Sequence, residues 1–208
     1  MAQWDGVENV YTLVCDVTNA DDIERMVGEA ETRFGRLDCD LNIAGINDLS
    51  YPLDETDDER WDKVMNIDVK APFRICRRAI STMVKNGDGS IVNIGSYAAL
   101  RGNHGPSYTA AKAGLAGLTK SIAFGSADKG VRCNIIHPGG MATNITKTSV
   151  GAYHEAAQAK LSKLIMAMPV TFYGQPEEVA NACLFLCSDE SKLINGVELS
   201  VDGGMAVC

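Results

Sequence analysis

The stretch Gly89-Ser90-Ile91-Val92-Asn93-Ile94-Gly95-Ser96 is a short apolar run that follows a turn and closes on Gly-Ser. A run of this length and composition predicts a strand buried on both faces. The turn Asn86-Gly87-Asp88-Gly89 before it ends a helical stretch from Asp57 to about Asn86, with a bend expected at Pro72. An Ala/Gly-rich helix from Tyr108 to about Ala127 follows. Helix, buried strand and helix in succession are the units of a parallel sheet.

The same alternation extends in both directions. Upstream, Val10 to Cys15 predicts a strand, Thr18 or Asn19 caps a helix to about Phe34, and Leu37 to Ile43 predicts another strand. Downstream, a strand from Val131 to Ile136 ends at His137-Pro138-Gly139-Gly140. Helices near Tyr153 to Met168 and Pro176 to Ser188 precede a last strand, Val197 to Val201. The expectation is one α/β domain over residues 1–208, without repeats or a linker.

With 208 residues, 46% of them hydrophobic, the chain can bury a full core without metals or disulfides. A net charge of −8, with acids scattered among bases, argues against nucleic acid or an anionic membrane as partner. Seven cysteines without a CxxC pair read as small apolar residues of a reducing compartment. Cys183 and Cys187 share a helical face, but two thiols make a poor zinc site, so no metal is expected. Neither a signal peptide nor an apolar run of membrane-spanning length is visible, and a cytoplasmic location is expected.

Open parallel sheets bind ligands at the carboxyl ends of their strands. The loops there are Asp16-Val17, Asn42 to Gly45, Ile94 to Tyr97 and Pro138 to Thr143. Tyr108 and Lys112 stand one helical turn apart on one face. A neighbouring ammonium favours the phenolate, so the phenol can exchange a proton near neutrality. Ser96, twelve residues before Tyr108, puts a hydroxyl at a strand end where it can bond a substrate oxygen. Alone, it is equally a loop-capping serine.

Five segments, Gly89–Ser96 (GSIVNIGS), Ser107–Leu115 (SYTAAKAGL), Val131–Asn144 (VRCNIIHPGGMATN), Gly174–Ala180 (GQPEEVA) and Gly196–Gly204 (GVELSVDGG), occur in the order and spacing of one family. With Leu13–Val27 (LVCDVTNADDIERMV) and Leu41–Ile46 (LNIAGI) upstream, the chain from Val10 onward resembles the short-chain dehydrogenase/reductases. The resemblance implies a Rossmann-like, doubly wound parallel sheet and an NAD(P)-dependent interconversion of an alcohol and a carbonyl in a small-molecule substrate. Tyr108 would be the general acid/base, Ser96 would orient the carbonyl, and Lys112 would hold the nicotinamide ribose. Pro138, Gly139, Met141 and Thr143 would line the nicotinamide pocket. Asp16 and Val17 would meet the adenine, and Asn42, Ala44 and Gly45 the middle of NAD or NADP. The helix from Tyr108 and the terminal strand would form a homo-oligomer, a dimer or tetramer.

Two features depart from that pattern. The family's catalytic asparagine, whose main-chain carbonyl is thought to hold a water in the proton relay, falls on Asp68, which can pair with Lys112 and compete for it. The family's opening strand, glycine-rich turn, helix and second strand have no counterpart here, since only Gly6 precedes Gly28. An N-terminally truncated sheet and weak cofactor binding are therefore expected. The alternative is a cofactor-deficient member acting as a binding or oligomer-forming subunit; a lyase or isomerase using the same acid/base pair is more remote. The loop from Thr143 to Met168 is expected to cover the substrate, with Met141, Met166 and Met168 as an apolar wall.

Overall fold

The computed structural model describes residues 9–145, 152–167 and 173–207. Four parallel strands, β1 (Cys39–Asn42), β2 (Gly89–Ile94), β3 (Val131–Pro138) and β4 (Glu198–Val201), lie side by side in chain order. Ser90 pairs with Cys39 on one side and Arg132 on the other, and Ile135 with Glu198.

Side chains alternate across each strand, so β2 and β3 feed two cores. Ile91, Val131 and Cys133 pack with Cys76, Ala79, Met83 and Ala123, from α3 (Ala71–Asn86) and α5 (Pro106–Ser126). Val92 and Ile136 point the other way, onto Cys183 and Leu186 of α7 (Pro176–Cys187). Helices on both faces of a parallel sheet are the doubly wound arrangement expected. α1 (Ala20–Phe34) packs on α3, outside the sheet. Asn19 caps it, its side chain accepting from the amides of Asp21 and Asp22, and Gly35 ends it at φ 75°.

Val10 to Cys15 is not a strand. It has no regular secondary structure: no described strand lies beside it, and a single strand has nothing to bond its backbone. Side chains of α1 hold it instead: Arg25 donates to the Val14 carbonyl at 3.0 Å, and the Arg33 guanidinium sits 3.7 Å over the Tyr11 ring. Val14 and Ile43 are left 72% and 64% exposed.

Pro72 does not break the long helix. α2 (Asp58–Met65) passes through one π-helical turn, Asn66–Lys70, into α3, with Pro72 in the first turn of α3. Pro72 has no N–H to return to the carbonyl four residues back, which belongs to Asp68, and the wider turn absorbs that mismatch. α4 (Ala98–Arg101) and α6 (Glu155–Ala167) complete the described helices of more than one 3₁₀ turn.

A polar layer runs through the core on the α3 side. The Asn42 amide donates to Asn93 at 3.0 Å and to Asp40 at 2.9 Å, and Asn93 donates to Thr119 at 2.9 Å. Burial pushes the Asp40 carboxyl up to about 6, against the pull of the Asn42 bond. Its ordinary value is 3.8, so below about pH 4 the group is protonated in both folded and unfolded chains. Between there and pH 6 the unfolded chain ionises first, and stability falls as pH rises through the folded value. Asp40→Asn should therefore be more stable than the parent at pH 8, by up to about 3 kcal/mol, with the gap closing by about pH 4. Urea unfolding at the two pH values measures it.

Candidate active site

The carboxyl ends of β1, β2 and β3 bring most of the expected site residues to one edge of the sheet. Ser96 lies just past β2, buried, and its Oγ accepts the Ala98 amide at 3.2 Å. That bond leaves the hydroxyl hydrogen free to donate. The Tyr97 amide donates to the Pro138 carbonyl at 3.0 Å, which ties the serine loop to the end of β3.

Tyr108 and Lys112 ride on the first turns of α5, where Pro106 opens the helix. The Lys112 side chain is only 5% exposed. Its ammonium lies 5.6 Å from the centre of the Tyr108 ring and 3.1 Å from the Ile94 carbonyl, two residues before Ser96. It also lies 3.0 Å from Oδ2 of Asp68, whose side chain is fully buried on the π turn. The expected pairing of Asp68 with Lys112 is thus present. The other oxygen, Oδ1, accepts the Ile46 amide at 3.0 Å. Burial raises the Asp68 carboxyl above the usual carboxylate range, and the Lys112 charge and the Ile46 amide draw it back. Gly45 passes directly over this pair: a Cβ there would lie 3.3 Å from both Asp68 Oδ2 and Lys112 Nζ.

The remaining expected contacts are more dispersed. Asp16 and Val17 follow the segment from Val10 to Cys15; the Asp16 carboxylate accepts the Thr18 amide and hydroxyl, at 2.9 and 2.8 Å, which keep it below its usual range. Asn42 turns its side chain into the core layer described above, while Ala44 is exposed and Gly45 half-buried. Pro138 ends β3, and the Gly139 amide donates to the Val201 carbonyl at 3.1 Å. Met141 bridges to Gly174, and Thr143 donates its amide to Met141 at 2.9 Å. The Met166 side chain and Met168 lie outside the described residues. A cavity of about 640 Å³ opens beside Gly45, bounded by Asn47, Arg60 and Lys63 on one side and Asn144 and Ile145 on the other.

A family model described as enoyl-(acyl carrier protein) reductase matches residues 2–206. A solved structure of a putative short-chain dehydrogenase/reductase from Burkholderia xenovorans superposes with a TM-score of 0.87 at 32% identity, covering 96% of this chain and 76% of that one. The chain belongs to the short-chain dehydrogenase/reductase family. It is accordingly an oxidoreductase of a family that generally uses NAD or NADP. Levodione reductase is equally similar in structure, with a TM-score of 0.87, 30% identity and coverage of 96% and 78%. A 3beta-hydroxysteroid dehydrogenase of Eggerthella lenta is 39% identical over 191 residues, 91% of this chain and 72% of that protein. The 3-oxoacyl-[acyl-carrier-protein] reductase of Thermotoga maritima is 35% identical over 199 residues, 95% and 78% of the two.

Two residues of this short-chain dehydrogenase/reductase shape the site without having been singled out in the sequence. Asp48, buried in the loop after β1, accepts the Tyr108 amide at 2.9 Å and the Ser107 hydroxyl at 3.1 Å. It caps the first turn of α5 from sixty residues away, where a negative charge is favoured. Gly105 is required there, because any Cβ would run into the Asp48 carboxylate. The second is His137, fully buried behind Ser96. Nothing in the sequence marks either: Asp48 reads as an Asx turn and His137 as a polar residue near a strand end.

Proposed function

We propose that the chain interconverts a secondary alcohol and a ketone, with NAD or NADP as hydride partner and Tyr108 as general acid/base. The observation that carries this reading is the Lys112 ammonium, withdrawn from water and 5.6 Å from the centre of the Tyr108 ring. The two side chains share one helical face beside Ser96, which sets the phenol where it can exchange a proton with a substrate oxygen. In alcohol oxidation the phenolate takes the hydroxyl proton while the carbon gives up its hydride; in reduction the phenol returns that proton to the carbonyl oxygen. The nicotinamide ring, when bound, accepts or supplies the hydride.

Ser96 donates its free hydroxyl hydrogen to the reacting oxygen and so orients it. Pro138, Gly139, Met141 and Thr143 would take the nicotinamide end and Asp16 and Val17 the adenine. Asn42, Ala44 and Gly45 would face the middle, Asn42 by its backbone, since its side chain is engaged in the core. The substrate class follows the hydroxysteroid, 3-oxoacyl and levodione of the relatives' names, all of which carry an oxygen on a secondary carbon. Self-association through α5, whose Phe124 is 90% exposed, belongs to the same reading.

One observation favours the alternative, a cofactor-deficient subunit: Asp68 holds the ammonium that the ribose would need. A charge-assisted hydrogen bond so forgone is worth roughly 1.5–3 kcal/mol, which weakens binding on the order of 10–100-fold. Calorimetric titration with NAD and with NADP should give dissociation constants weaker by that factor than those of Asp68→Asn, and equal values in the two proteins would overturn the expectation.

Asp68→Asn frees Lys112 and should raise cofactor affinity or turnover; unchanged or lower values would assign Asp68 a purely structural place. For turnover itself, alcohol oxidation is followed by nicotinamide absorbance across a panel of secondary alcohols. Tyr108→Phe removes the proton carrier and should lower kcat by about 10²–10⁴-fold. Near-normal turnover in that variant would remove Tyr108 from the mechanism.

A further inference from the structure

Behind Ser96 the sheet holds a chain of polar groups that runs to the surface. His137 Nδ1 lies 3.0 Å from the Ser96 carbonyl oxygen and 3.2 Å from the Ser96 amide nitrogen. The ring reaches both because residue 95 is glycine: a Cβ there would lie 2.5 Å from Nδ1. On its other side, Nε2 stands 2.9 Å from Oε2 of Glu198 on β4. Oε1 of Glu198 in turn meets the Lys120 ammonium of α5 at 2.5 Å, and Lys120 is 60% exposed.

The chemistry of this chain fixes which hydrogen bond Ser96 receives. The Lys120 bond, ahead of the opposing effect of burial and with His137 adding to it, keeps the Glu198 carboxyl below its usual range. An ionised carboxylate only accepts, so Nε2 carries a hydrogen. In the neutral ring Nδ1 is then an acceptor and takes the Ser96 N–H. In the charged ring Nδ1 donates, and its partner is the Ser96 carbonyl. The two bonds belong to the peptide planes on either side of the serine, so the protonation state of His137 selects which plane is held.

We propose that His137, oriented by Glu198, is a positioning residue that fixes the Ser96 backbone and with it the direction of the Ser96 hydroxyl. The proposal rests on the reading of Ser96 as the group that orients the substrate oxygen. The charged groups facing His137 are Glu198 from β4 and, behind it, Lys120 from α5; the same helix carries Lys112 and Tyr108 two and three turns earlier. His137 is not a catalytic residue in this scheme, since it acts only through the serine. A peptide shifted by a fraction of an ångström at such a point is felt in turnover more than in binding.

Nuclear magnetic resonance of the labelled chain tests it without any substrate. In the parent, the neutral His137 ring should show the Nε2–H tautomer, with a hydrogen-bond coupling between its Nδ1 and the Ser96 N–H. In Glu198→Gln, a near-isosteric change at a partly exposed site, the amide side chain can donate or accept. The ring should then populate both tautomers. With the best alcohol of the panel, Glu198→Gln and His137→Gln should each lower kcat about tenfold and leave KM within about twofold.

A Ser96 amide without that coupling, with an unchanged tautomer in Glu198→Gln, overturns the proposal even where Tyr108→Phe abolishes turnover. Full activity in Tyr108→Phe overturns the reading of the site instead, and leaves the spectroscopic result to decide the placing of Ser96.

Discussion

A single buried ammonium joins the parts of this protein that carry its chemistry. Lys112 leaves α5, ends within 3.1 Å of the last carbonyl of β2 and pairs with Asp68 on the turn between α2 and α3. Withdrawing a lysine from water is costly unless the charge is compensated. The Ile94 carbonyl and the Asp68 carboxylate supply that compensation together, so three elements distant in the chain are fixed against one another. Gly45 closes over the pair, and the Ile46 amide completes the carboxylate's bonding. The loop after β1 is thereby drawn into the same arrangement.

The two ends of the proposed reaction centre are held by different means. Tyr108 stands on a helix whose first turn is capped from another loop by Asp48, so its position depends on an electrostatic contact at a helix terminus. Ser96 stands in a loop pinned through its neighbour to Pro138 and through its own peptide to His137. Both supports come from the carboxyl edge of the sheet, one from the loop after β1 and one from the last residues of β3, which is where a parallel sheet converges its backbone. Rigid elements beneath and polar contacts between loops are the arrangement that holds a hydroxyl and a phenol in fixed relation.

Local patterns carried most of the architecture in the sequence. The apolar run of β2, buried on both faces, and the turn signals around it placed the central strand to within a residue, and a cap at Thr18 or Asn19 with an end near Phe34 bracketed α1. The Tyr108 and Lys112 spacing was legible from helical periodicity and Ser96 from its strand end, whereas Asp68 entered only through the resemblance to the family. Val10 to Cys15 was misread because its β-rich composition is that of a strand, whereas pairing depends on neighbours that local pattern does not report. Asp48 and His137 stayed hidden on the same principle. Their partners lie 41 to 61 residues away, and only the folded sheet brings them together.

The π turn at Asn66–Lys70 sets a phase as well as accommodating Pro72. One residue more than an α-helix needs is spent there, and each residue turns a helix by about 100°. α2 and α3 are therefore out of step by that angle relative to one continuous helix. This offset lets Val64 face the core while Asp68 faces Lys112 and Ile75 and Ala79 face the protein interior. The segment is constrained in length more tightly than in composition. Exposed Asn66 and Lys70 leave room for other side chains, but losing a single residue would restore the regular spiral and swing one of the two helices off its footing. Within this stretch, substitution is the tolerated kind of change and deletion the prohibited one.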